Sequence, residues 1–104
     1  MDTPYAGRAI TKHEMQILRA ASLPDGYSPY DQKMSFQKQA RHLRTKDLLQ
    51  ELGLLDSGQE IAGYDYLRKW RYRLTSTGST VLESGGGVVY NGEVRLANDT
   101  AAAA

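Results

Sequence analysis

Three groupings in this chain have residue types and spacings that could do chemistry, and each stops short of a working set. Ser35 and Lys38 stand at the Ser-x-x-Lys spacing that pairs a serine nucleophile with a lysine, but the companion motifs of such hydrolases are missing. His13-Glu14 begins like His-Glu-x-x-His, in which two imidazoles four residues apart hold zinc, yet the second ligand position is Ile17. Gly85-Gly86-Gly87 lacks the Lys-Ser or Lys-Thr that follows the glycines of a phosphate-cradling loop. With no cysteine, the chain has no thiolate ligand, no cysteine nucleophile and no disulfide. These residues predict a protein that is not an enzyme, with no metal and no cofactor.

The basic residues are distributed with more order. Nine of the thirteen fall in two short windows that contain no acid. The first holds Lys33, Lys38, Arg41, Arg44 and Lys46, with Gln37, Gln39 and His42 among them. The second holds Arg68, Lys69, Arg71 and Arg73 around Trp70 and Tyr72. The rest of the chain carries four bases against all twelve acids, so a net charge of +1 hides a dipolar molecule. Brought onto one face, the two windows would form the electrostatic footprint of a phosphate-backbone partner. A single charge run is more often the solvated face of a helix. A second acid-free run is what turns the reading toward nucleic acid. His42, inside the first run, reads as a phosphate contact or surface residue.

At 104 residues the chain is expected to form one domain with a modest core. No apolar stretch approaches the roughly 18 residues of a membrane span, and the N-terminus lacks the basic-then-apolar layout of a signal peptide. A cytoplasmic protein without membrane contact is expected.

The elements that must position these residues can be read from local signals. Residues 1–9 read as a loose arm. Thr11 and Glu14 have capping-box spacing, with Ile10 and Met15 as the staple, so a helix is predicted over Lys12 to Ser22. Pro24-Asp25-Gly26 ends it. From Gln32 to Leu52 the pattern is helical, but Phe36, Ala40 and Leu43 share one face while Leu48, Leu49 and Leu52 lie nearly opposite. A break near Arg44-Thr45 resolves this, with Thr45 capping a separate helix that Gly53 terminates. From Tyr66 the residues alternate: Trp70, Tyr72 and Leu74 are expected to face inward, and Lys69, Arg71 and Arg73 outward. Thr75 then caps a last short helix carrying Val81 and Leu82. Gly85 to Gly87 read as a flexible linker to a small hairpin, Val88 to Leu96, turning at Asn91-Gly92. The hairpin must dock or fray. Asn98 to Ala104 are expected to be disordered. Leu18, Leu52 and Leu74 should share one core.

Two phrases carry a family likeness. Leu48-Leu49-Gln50-Glu51-Leu52-Gly53-Leu54-Leu55 has the Leu-x-x-x-Gly-Leu form in which many bacterial regulators end a recognition helix. Arg73-Leu74-Thr75-Ser76-Thr77-Gly78-Ser79-Thr80-Val81-Leu82 has the phrase that closes the hairpin wing of such proteins. Over about residues 43 to 84 the chain resembles a winged helix-turn-helix protein. The resemblance implies an α+β fold with three helices, a β-hairpin wing and a short C-terminal helix, in a domain over 1–84 followed by a Gly-linked tail over 85–104. It implies sequence-specific double-stranded DNA binding by a transcriptional regulator or a phage or mobile-element accessory factor. Base readout would come from the Ser35 to Lys46 region, at Gln37, Gln39, Arg41 and Arg44, with Lys38 and Lys46 as further DNA-binding residues of that region. Phosphate contacts would come from Arg68, Lys69, Arg71 and Arg73 on the wing. The same fold also serves as a protein-interaction module, and Tyr27, Tyr30, Tyr64 and Tyr66 in loops suit an interface with a partner protein or a second copy of the chain.

Overall fold

The computed structural model describes residues 7–30 and 34–96. The expectations for Lys33 and for Asn98 to Ala104 lie outside the described residues. The fold is α+β. The first helix, α1 (Lys12–Ala21), begins as its sequence requires. Thr11 Oγ1 accepts from the Glu14 amide at 3.1 Å, and Glu14 Oε1 accepts from the Thr11 amide at 2.8 Å. Its Ile17, Leu18 and Ala21 are buried. Just ahead of it, Arg8–Ala9 form a short strand, β1, rather than a loose arm. Arg8 grips Glu14 through two hydrogen bonds of 2.9 and 3.0 Å, tying strand to helix.

The second helix, α2 (Phe36–Glu51), is continuous, and the break predicted at Arg44-Thr45 is absent. Thr45 does not cap. Its hydroxyl donates to the Arg41 carbonyl one turn back, a bond available to threonine inside a helix. The apolar faces disagree because only one end of the helix is packed. Leu49 is fully buried, while Phe36 is 84% exposed. A stripe needs to be consistent only where there is something to bury it against.

A central strip, Lys69 to Thr75, is flanked on both sides. β2 (Gln59–Glu60) pairs antiparallel with β3 (Trp70–Arg71), and the same neighbour continues through a Leu55–Leu74 bridge. On its other edge Tyr72 exchanges two 2.8 Å hydrogen bonds with Tyr27, from the loop between α1 and α2. Between β2 and β3 the chain makes an excursion over residues 61–69 that ends in a 3₁₀ turn, Tyr66–Lys69, where a strand had been expected.

The third helix, α3 (Ser76–Glu83), is capped by Thr75, whose Oγ1 accepts from the Gly78 amide at 3.0 Å. Gly78 is needed for packing: a Cβ there would fall 2.1 Å from the Leu54 carbonyl oxygen. Among the described residues there are thus three α-helices in place of the expected four, because the expected second and third are one, and none follows α3.

The triple glycine stops α3 and turns the chain, so it is not a flexible linker. Gly85, at φ +83°, donates to the Leu82 carbonyl, and Gly86 to that of Val81, the paired bonds of a Schellman helix end. The hairpin that follows, β4 (Gly87–Tyr90) and β5 (Glu93–Leu96), turns at Asn91 (φ +52°) and Gly92 (φ +77°), the two left-handed residues of a type I′ turn. It docks: β4 pairs with β1, giving the strand order β1-β4-β5, and Val94 and Leu96 pack against the core. That core centres on Leu18, Leu49, Leu54 and Val81, with Leu52 and Leu74 half-buried against it.

Candidate nucleic-acid interface

Helical phase sorts the first basic window. Gln37, Lys38, Arg41 and Arg44 are exposed, at spacings that place them along one side of α2. Gln39 is half-buried. The Lys46 side chain is only 13% exposed, with its Nζ 2.7 Å from Asp47 Oδ1 and 4.9 Å from the centre of the Tyr72 ring. Lys46 therefore ties α2 to the central strip, and the cationic edge of the helix ends at Arg44. Ser35 caps α2, accepting from the Lys38 amide at 3.3 Å.

The second window divides differently. Arg68 and Arg73 are exposed, and Lys69 is half-exposed with its ammonium 3.7 Å from Glu60. Arg71, expected to point outward, is 4% exposed. Its Nε donates to the Asp25 carbonyl at 2.9 Å and its Nη2 to the Gly26 carbonyl at 3.2 Å, and its guanidinium lies 4.2 Å from the Tyr64 ring centre. Tyr64 in turn donates to the Asp25 carboxylate at 2.8 Å. Arg71 clasps the turn that ends α1 to the central strip. Trp70, expected inside, is 42% exposed. The 3₁₀ turn leaves β3 only two residues long, so the alternation assumed from Tyr66 onward does not hold through Trp70 and Arg71. The guanidinium is accommodated inside because two backbone carbonyls accept its hydrogen bonds and the Tyr64 ring lies against it.

Sequence reasoning missed a cluster behind α2. His42 Nδ1 lies 2.6 Å from the Tyr27 hydroxyl, and the His13 and His42 rings meet edge to face at 4.8 Å. Burial raises the Tyr27 phenol well above its ordinary value. Burial, with Arg41 nearby, holds both imidazoles below theirs. The signal was present in helical phase. His13 is four residues before buried Ile17, and His42 seven before buried Leu49, so both lie on the inward sides of their helices. Tyr27 pairs in turn with Tyr72, so the cluster joins α1, α2 and the central strip.

Among the described residues no group of three or more His, Cys, Asp or Glu side chains could hold a metal, and no helix is long and apolar enough to cross a membrane. Comparison with protein-family models, with curated protein sequences and with solved structures finds no match to this chain.

Proposed function

We propose that this protein binds double-stranded DNA in a sequence-specific way, as a transcriptional regulator or a phage or mobile-element accessory factor of winged-helix type. One observation carries the reading: the outward side of α2 exposes Gln37, Lys38, Arg41 and Arg44 with no acid among them. A helix fits the major groove, where arginine and glutamine can each make paired hydrogen bonds to base edges. In this reading α2 is the recognition helix. The excursion between β2 and β3 serves as the wing, with Arg68, Lys69 and Arg73 placed for phosphates. Arg71 leaves the contact set, since its guanidinium is committed inside.

The element order is compatible with the same reading in part. A helix, a single bridging residue, a second helix, a β-ribbon and a capped third helix follow one another, an order compatible with the resemblance once its expected second and third helices are merged into α2. The test is a titration of the protein into labelled duplex DNA at several salt concentrations. Binding should weaken with a log–log slope of about −0.9 per phosphate neutralised.

A second reading has its own observation. Phe36, Tyr66, Leu67 and Trp70 are large, apolar and exposed at 84%, 79%, 44% and 42%. Aromatic anchors of this kind suit a protein partner or a second copy of the chain. Absence of duplex binding at low salt would put that reading first.

A further inference from the structure

Among the described residues the three-stranded sheet ends at β5, whose outer edge pairs with no strand. The hairpin decides which groups lie on that edge. Tyr90 and Glu93 close its turn as a hydrogen-bonded pair, and such pairs alternate with non-bonded ones along an antiparallel ladder. The backbone groups of Glu93 and Arg95 therefore bond to β4, while the N–H and C=O of Val94 point away from it, along the free edge. No backbone hydrogen bond from elsewhere in the described chain reaches Val94. An open edge of this kind is a template for a further strand.

Side chains alternate along the same strand. Val94 is half-buried against the core, and Glu93 and Arg95 are exposed on the opposite face. The Arg95 guanidinium lies 4.9 Å from the centre of the Tyr90 ring, which holds it on that face. Neither Glu93 nor Arg95 makes an ion pair among the described residues. They carry opposite charge and stand one residue to either side of Val94.

We propose that β5 pairs with β5 of a second copy of this chain, antiparallel about a two-fold axis at Val94. In that register Val94 and the partner's Val94 exchange both N–H to C=O bonds, and Glu93 lies opposite the partner's Arg95 on each side of the axis. Charge selects the occupant and the register together. Charged side chains on an edge ordinarily keep other strands away, and in the adjacent registers they do so here. An axis at Glu93 sets two carboxylates face to face, and one at Arg95 sets two guanidinium groups face to face. Only the axis at Val94 brings Glu93 and Arg95 each to its opposite. A four-residue edge buries less than the roughly 1,000 Å² of a stable interface, so the dimer is reversible, with a Kd on the order of 100 μM. The pairing rests neither on the DNA reading nor on the exposed aromatics, which lie on α2 and around the 3₁₀ turn.

The test is sedimentation equilibrium of the full chain from about 10 μM to about 1 mM. The parent should pass from monomer toward dimer over that range. Glu93→Arg and Arg95→Glu each set like charges opposite one another on both sides of the axis, and each should weaken dimerisation about tenfold or more. Mixed in equal amounts, the two variants complement each other at both positions and should associate at least as tightly as the parent. Val94→Pro removes the outward N–H and leaves the ladder to β4 intact. Added to both components, it should abolish the mixed dimer, which separates strand pairing from general attraction between proteins of opposite charge. A parent chain that stays monomeric to about 1 mM would overturn the proposal. So would a dimer that both charge variants leave unchanged, or a mixture that associates no better than its components or survives Val94→Pro.

Discussion

On α2, the bases at 38, 41 and 44 share the solvent side of one helix, and the regular 3.6-residue turn keeps them there. On the central strip, four bases of similar spacing go to different environments. Arg68 and Arg73 stay in solvent, Lys69 pairs with Glu60, and Arg71 is enclosed. A long helix carries its phase across many residues, so composition and spacing together locate each side chain. A strand of two residues carries no phase of its own. Its neighbours decide which side is in, and here the Asp25–Gly26 turn offers two carbonyls that accept from Arg71. Charge segregation alone therefore predicts which bases are exposed well on one element and poorly on the other.

The contrast can be broken or sharpened experimentally, beginning with the largest effect. Arg71→Ala removes a buried guanidinium bonded to two backbone carbonyls and should cost about 2–4 kcal/mol of stability, whereas Arg68→Ala should change stability by no more than about 0.5 kcal/mol. Urea melts of the two variants would measure both. An Arg71→Ala protein as stable as the parent would return Arg71 to the solvent side and make the two windows alike. A middle-sized effect is expected on α2. Arg41→Ala and Arg44→Ala should each weaken binding to a preferred duplex by about 1–3 kcal/mol and narrow its margin over scrambled DNA, and Arg73→Ala should reduce affinity for both alike. Competition between preferred and scrambled duplexes would show whether helix and strip divide specificity and affinity in this way. The smallest effect concerns helix continuity. If Thr45 capped a second helix, Thr45→Ala would cost about 1 kcal/mol; within a continuous α2 it should be neutral or stabilise by a few tenths of a kcal/mol. Thermal melts precise enough to resolve that difference distinguish one helix from two.

What could be read from the sequence was what is decided locally. The Thr11–Glu14 capping box, the Thr75 cap and the Asn91-Gly92 turn each depend on residues within one turn of one another, and each is present. The readings that failed depended on distant parts of the chain. Nothing near Arg71 shows that it will meet a turn some forty-five residues earlier. Thr45 resembles a cap until it is known that α2 begins with Phe36 in solvent, so its two apolar faces need not agree. The three glycines have the composition of a linker, and only the Val81 and Leu82 carbonyls and the close approach of Arg95, whose oxygen lies 2.6 Å from where a Gly87 Cβ would be, show why no larger residue stands there. The exposed bases of the candidate interface were legible for the same local reason as the caps. The His13–His42–Tyr27 cluster required two helical phases to be read together.

The pairing of β1 with β4 has a kinetic consequence. Arg8 aligns with Val89, so nearly the whole described chain must be gathered before that ladder can close. Loop-closure entropy rises only logarithmically with length, but it is incurred before any of the ladder's hydrogen bonds form. The β4–β5 hairpin needs only its own turn and can form on a microsecond scale, as can the capped α1. β1 therefore joins an edge that already exists, late in folding, and it should be among the first segments to open in native-state hydrogen exchange.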